Sequence, residues 1–299
     1  MEENMKTIFP VLISILIFGG CASKPAATGS SLTASGDAAE ASKPLTTAEE
    51  YFNRGYANVE KGDLDQAVSD YTESLKLNPN NGAAYNNRGA AYAGQGDYDR
   101  AIADYSEAIK MVPDNPIMYY NRGVAYARTN NLDRAIADYS EAIKLDSEYA
   151  AAYNNRGAAY ADKGDFDRAI ADHTQAITIK PDYTNAFNNR GYAYRHKGDL
   201  DKAIADYSEA IKLDPNYAMA YSNRSVAYRN KGDLDKAMAD STEAVRLDPT
   251  NTVVYSNRGV LYFAAQDYEK AMADYETALQ LDPDNADARW NLDLVQQQQ

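Results

Sequence analysis

GAAYNNRGAAYAGQGDYDRAIADYSEAIKMVPDN, residues 82–115, is one of seven consecutive 34-residue segments that share a single pattern. The copies begin at Ala48, Gly82, Pro116, Ala150, Thr184, Ala218 and Thr252, and run to Asn285 without insertion or deletion. A strict period of this length predicts one elongated array and not two globular domains. Within the quoted copy, Tyr85, Gly89, Tyr92 and Ala93 recur at helical spacing, and Ala101, Tyr105, Ala108 and Ile109 mark one face of a second helix. Gly96-Asp97 separates the two: glycine accepts a turn conformation that a Cβ penalises, and Asp97 is placed to cap the second helix. Pro113 stops that helix from continuing. Each repeat therefore reads as a helical hairpin.

The remaining copies keep these slots with a few substitutions. Asn130-Asn131 and Gln266-Asp267 replace the Gly-Asp turn, and Ser147 stands where the other six copies have proline. From Ser147 we expect a looser turn with no break in the stack. Ser225 replaces the glycine of the first helix, while His173 and Ser241 occupy the slot of Tyr71, Tyr105, Tyr139, Tyr207 and Tyr275. Losing a ring at Ser241 makes the sixth repeat the expected weakest unit, because stability in such arrays is largely local. Ala286 to Val295 matches one more first helix and is expected to cap the array, with Trp290 as a packing residue.

The order Tyr85, Gly89, Tyr92, Ala101, Tyr105, Ala108, Pro113 resembles the tetratricopeptide repeat (TPR) family over residues 48–285. The resemblance implies an all-α TPR superhelical solenoid of helix-turn-helix repeats whose first helices line a concave, protein-binding groove. The family's chaperone-tail clamp needs lysines at first-helix positions that here hold Asn, Ser, Ala, Val or aromatic residues, so that specialised role is not expected.

Ahead of the array, Lys6 precedes an apolar run from Ile8 to Phe18, too short for a transmembrane helix and of signal-peptide length. Met5-Lys6 makes a more conventional beginning than Glu2-Glu3. Ile17-Phe18-Gly19-Gly20-Cys21 resembles a bacterial lipobox, with Phe18 where leucine is usual, and Cys21 is the chain's one cysteine. The resemblance implies residues 1–20 as a signal peptide, an acylated Cys21 held in the lipid bilayer, and, from Ala22 behind it, an outer-membrane address facing the periplasm. Residues 21–47 are rich in Ser, Ala and Thr and read as a tether, followed by the array at 48–285 and a cap with a polar tail at 286–299.

A net charge of −14 and pI near 4.6 disfavour nucleic acid and anionic lipid as electrostatic partners. A lone cysteine cannot close an intramolecular disulfide. The two histidines, His173 and His196, stand in different repeats without a nucleophile or carboxylate cluster, so no catalytic site, metal or cofactor is expected. Pairs such as Asp97/Asp99 lack the loop glycine and distal glutamate of a calcium loop and are explained by capping. The seven Arg/Asp pairs from Arg54/Asp70 to Arg258/Asp274 are read as architectural links between helices.

That leaves the groove. Its expected lining is Phe52, Asn53, Tyr56, Asn86, Asn87, Tyr120, Asn121, Asn154, Asn155, Asn188, Asn189, Tyr192, Arg195, His196, Asn223, Arg229 and Asn257. Asparagine can grip the N–H and C=O of an extended peptide; the competing reading has these amides bond to the next repeat and stiffen the array. The functional expectation is an envelope-anchored scaffold for protein or peptide segments. Alternatives are a passive self-associating spacer, which makes a homo-oligomer possible, and a peptidoglycan binder whose tyrosines stack on sugars.

Overall fold

A computed structural model describes residues 45–298, in which fifteen α-helices and no strand occur. The apolar run, Cys21 and the tether up to residue 44 lie outside the described residues. Seven helix pairs follow the seven repeats: α1 (Ala48–Glu60) with α2 (Leu64–Leu77), α3 (Gly82–Gly94) with α4 (Tyr98–Met111), and α5 (Pro116–Arg128) with α6 (Leu132–Leu145). Then come α7 (Ala150–Asp162) with α8 (Phe166–Ile179), α9 (Thr184–His196) with α10 (Leu200–Leu213), α11 (Ala218–Lys231) with α12 (Leu234–Leu247), and α13 (Thr252–Ala264) with α14 (Tyr268–Leu281). A single helix, α15 (Ala286–Gln296), ends the chain. The chain divides into two compact units, one ending at Ser147 and the other starting at Glu148. The boundary falls at the one repeat junction whose proline slot holds serine.

Local chemistry sets the helix ends. Thr47 and Glu50 form a reciprocal capping box at the start of α1. Asp63, Asp97, Asp165, Asp233 and Asp267 each accept a hydrogen bond from the backbone N–H three residues on, as expected of a cap. Asp199 and Asn131 cap by position without that side-chain bond. The turn residue before each cap is left-handed, with φ of 79–85° at the five glycines, 58° at Asn130 and 62° at Gln266. Gln266 strains a backbone position that glycine occupies freely and that asparagine tolerates better.

Packing within a pair explains the small and aromatic slots. A Cβ placed on Gly55, Gly89, Gly123, Gly191 or Gly259 would lie 2.7–3.0 Å from the ring of the tyrosine sixteen residues on. Gly157 meets the His173 ring in the same way, at 2.8 Å. Glycine is thus required because the ring presses on the helix backbone. In the sixth repeat both members change together: Ser241 has no ring, and Ser225 uses the freed space to donate from Oγ to the Ala237 carbonyl at 2.8 Å. Ala67, Ala101, Ala135, Ala169, Ala203, Ala237 and Ala271 are fully buried on the second helices.

Inside each unit, first helices also touch the first helices of neighbouring repeats, α1 with α3 and α3 with α5, then α7 with α9, α9 with α11, α11 with α13 and α13 with α15. Among the described residues, second helices of successive repeats within a unit make no such approach. First helices therefore form the inner face of each stack. The terminal α15 buries Ala288 and Val295, with Leu292 half-buried against Ala271 and Tyr275. Trp290 departs from expectation: it points away from that contact and is 64% exposed, so the cap closes the stack without it.

Candidate functional site

The arginines of the inner helices are held by the fold. Arg88 Nε and Nη2 reach the two carboxylate oxygens of Asp104 at 2.7 and 2.8 Å, and Arg122, Arg156, Arg190, Arg224 and Arg258 repeat this fork on Asp138, Asp172, Asp206, Asp240 and Asp274. Arg54 does the same with Asp70. The remaining guanidinium nitrogen stitches to the previous repeat, donating from Arg88 to Thr72, Arg122 to Ser106, Arg190 to Thr174 and Arg224 to Ser208 at 2.9–3.1 Å. Bidentate, half-dry pairs of this kind fix geometry strongly, and they leave no arginine ladder for a ligand.

Most asparagines expected at the groove are likewise engaged between repeats. Asn121 Nδ2 donates to Asn86 Oδ1 at 3.2 Å, Asn189 to Asn154 at 3.2 Å, Asn223 to Asn188 at 2.9 Å, and Asn257 to Ser222 Oγ at 2.9 Å. Asn86 and Asn154 in turn donate to Asn87 and Asn155. Asn86, Asn154, Asn155, Asn188 and Asn223 are buried. The geometry is that of the stiffening role, because each of these amides reaches a side chain 35 residues earlier, on the preceding first helix with which its own helix is in contact. Asn53, in the first repeat, is exposed. Phe52 and Tyr120 lean on Tyr71 and Tyr139, with ring centroids 5.7 and 5.9 Å apart, and Tyr56 is half-buried.

His173 belongs to the same network. Its Nδ1 is 3.1 Å from Asn154 Oδ1, an oxygen that also accepts from Asn189, so Nδ1 carries the proton and Nε2 is left as a buried, unpartnered acceptor. Full burial, then Arg190, pull its pKa down to about 3. It is a neutral core residue.

A different arrangement occurs on the inner face of the second unit. Arg195 (α9) and Arg229 (α11) occupy the slot that earlier repeats fill with Val59, Ala93, Ala127 and Ala161. Both are half-buried and stand at the same slot of two helices in contact, and burial followed by the Arg195 charge lowers the Arg229 pKa below its ordinary value. Arg195 Nη2 lies 3.0 Å from His196 Nε2, which fixes that nitrogen as an acceptor and His196 as neutral. Although His196 is exposed at one edge, desolvation under the Phe166 and Tyr192 rings and then Arg195 lower its pKa to about 4. Phe166 stacks on His196 with centroids 4.9 Å apart and rings 11° from parallel, and Tyr192 tilts against it at 4.2 Å. Phe166 and the nearby Asp162, an exposed residue whose carboxyl is nonetheless pushed up by local desolvation, were not on the expected list. Aligning the copies would have flagged them, since Phe166 departs from Leu or Tyr and the His196 slot holds Asp162 one repeat earlier.

Among the described residues no group of three His, Cys, Asp or Glu is placed to hold a metal, and no helix is long and apolar enough to cross a membrane.

Family models described as tetratricopeptide repeat match residues 52–116, 91–150, 150–183, 184–217 and 207–239, and a further TPR repeat model matches 261–299. No curated protein sequence matches. Among solved structures, a tetratricopeptide repeat protein from Parabacteroides merdae superposes with a TM-score of 0.71 at 23% identity, over 83% of this chain and 98% of that one. PilW, described as a widely conserved type IV pilus biogenesis factor, gives 0.63 at 19% identity over 69% and 96%. MamA gives 0.52 at 30% identity over 55% and 96%. These likenesses concern the fold. Together with the matched repeats they place the chain in the tetratricopeptide repeat family, whose arrays are scaffolds for protein–protein interaction.

Proposed function

We propose that this protein is a membrane-anchored scaffold of the bacterial cell envelope that binds partner proteins on the inner face of its first helices. The observation that carries the binding reading is the set Tyr192, Arg195, His196 and Arg229 on that face, since the fold uses neither cation in an ion pair while it uses all seven arginines of the other column. Cations that the architecture does not neutralise, here Arg195 and Arg229, are natural recognition elements of a repeat protein. The anchor reading rests on the apolar run before Cys21 and the acylation it implies, which fits outer-membrane attachment with the array in the periplasm.

Photo-crosslinkers placed in cells at Tyr192 and, as an outer-face control, at Lys212 test the binding reading. It predicts partner adducts at position 192 and none at 212; equal labelling at both, or self-adducts alone, removes it. Feeding cells an alkynyl fatty acid tests the anchor, with label expected on the native chain and absent in Cys21→Ser. A self-associating spacer is the second reading, favoured by Trp290 and Leu281 exposed near the C-terminal end. Sedimentation of the native chain and Trp290→Ser separates it, because only a spacer built through that end loses mass on substitution.

A further inference from the structure

The inner face of the second unit holds two cations that no carboxylate answers. Arg195 Nε is buried without a hydrogen-bond partner, and the hydroxyl of Tyr207, on α10, is buried near it without a hydrogen bond of normal geometry. Arg229 lies on the next first helix with Tyr275 of α14 close by. Among the described residues neither arginine forms an ion pair; Arg195 Nη2 lies 3.0 Å from the neutral His196, and its guanidinium carbon lies 5.2 Å from the Tyr192 ring centroid. Two like charges at the same slot of adjacent helices, both half-buried, are unfavourable alone and become favourable once an anion lies between them.

We propose that Arg195 and Arg229 form a carboxylate-binding site that takes an Asp or Glu side chain within a partner protein's segment. The apolar residue beside that carboxylate rests on the wall of Phe166, Tyr192 and His196. This deepens the scaffold reading above and rests on it. The planar forks of two guanidiniums match the oxygens of a carboxylate, with the Tyr207 hydroxyl as a further donor. A peptide is favoured over nucleic acid or a lipid surface because the chain carries a net charge of −14 and Asp162 lies beside Tyr192, so a polyanion meets repulsion around a small cationic spot. The stacked rings add an apolar contact that a bare phosphate has no use for.

The test is fluorescence anisotropy of the purified full chain with a dye-labelled Phe-Asp-Leu peptide amide, its Phe-Asn-Leu counterpart, and inorganic phosphate as competitor. The Asp peptide is expected to bind about tenfold or more tighter than the Asn peptide, and to lose that margin in Arg195→Gln and Arg229→Gln. A second readout guards against misfolding: if the pair is kept for ligand, Arg229→Gln melts at or above the native temperature in the absence of peptide, whereas a structural arginine would leave it lower. Equal binding of the two peptides, binding of neither, unchanged binding in both variants, or phosphate displacing the labelled Asp peptide at lower concentration than the unlabelled Asp peptide does each overturns the proposal. Crosslinking from Tyr192 in cells keeps the two claims apart. Partners captured equally by the native chain and the double variant leave the scaffold standing and remove the site, and no partner from either removes the scaffold.

Discussion

The helix pairs up to Ser147 and those from Glu148 obey one repeat pattern, yet they treat it differently. In the first unit the ring slot is tyrosine every time, and the inner slot ahead of it holds Val59, Ala93 and Ala127. The second unit puts His173 and Ser241 in the ring slot, and Arg195, Arg229 and Phe263 in the inner one. The regular unit displays what the fold requires: a glycine under each ring, buried alanines, a forked Arg–Asp pair and an amide ladder. The irregular unit meets the same requirements with substitutions, and where it adds something the fold does not require, as at Arg195 and Arg229, the addition faces inward.

Removing a ring from the regular unit is the strongest way to break this contrast. Tyr105 is 3% exposed against Gly89, and Tyr105→Ala should lower stability by about 3–5 kcal/mol in urea unfolding. A loss no larger than that of Ser241→Ala would mean the ring slot carries no special weight.

His173 gives the next effect, through pH. In the unfolded chain it takes a proton near its ordinary value of 6.5, but in the folded chain only near 3. The unfolded state therefore binds more protons between those values, and stability present above pH 6.5 is lost as pH falls towards 3, by up to about 1.4 kcal/mol per pH unit. His173→Tyr, matching the other repeats, should flatten that part of the profile relative to the native chain; parallel profiles would show that the imidazole is not held neutral.

The sixth repeat sharpens the comparison by a double-mutant cycle. Ser241→Tyr alone drives a ring into the Ser225 Cβ, whereas Ser225→Gly with Ser241→Tyr restores the arrangement of the first unit. A coupling of about 1–3 kcal/mol is expected from thermal or urea unfolding of the four proteins. Additive effects would sever the two positions. The smallest change is at the turns, where Gln266→Gly relieves a φ of 62° and should raise stability by roughly 0.5–1 kcal/mol, seen as slower amide exchange in α13 and α14.

Much of this was legible before any coordinates. The 34-residue period with its Gly, Asp and Pro punctuation located all seven hairpins, because caps, turns and helix stops are decided within a few residues of chain. The Arg/Asp pairing was readable for a related reason: a charge at every copy of one helix with its opposite at every copy of the next leaves little other use for either. Asn121, Asn189 and Arg195 were named from the same register, but their roles were not, since an amide or guanidinium on a first helix looks alike in sequence whether it meets the next repeat or open solvent.

By itself, then, the sequence determined the helix pairs, their boundaries, and which residues are small or aromatic, all consequences of local backbone preference and of a repeated short-range packing rule. Only the tertiary structure decided that the asparagines bridge repeats, that Trp290 stays outside the terminal contact, and that Arg195 and Arg229, on helices in contact, form no ion pair. Those outcomes depend on distances between residues about one repeat or more apart, fixed when helix stacks on helix, and nothing in the chain's local chemistry specifies them.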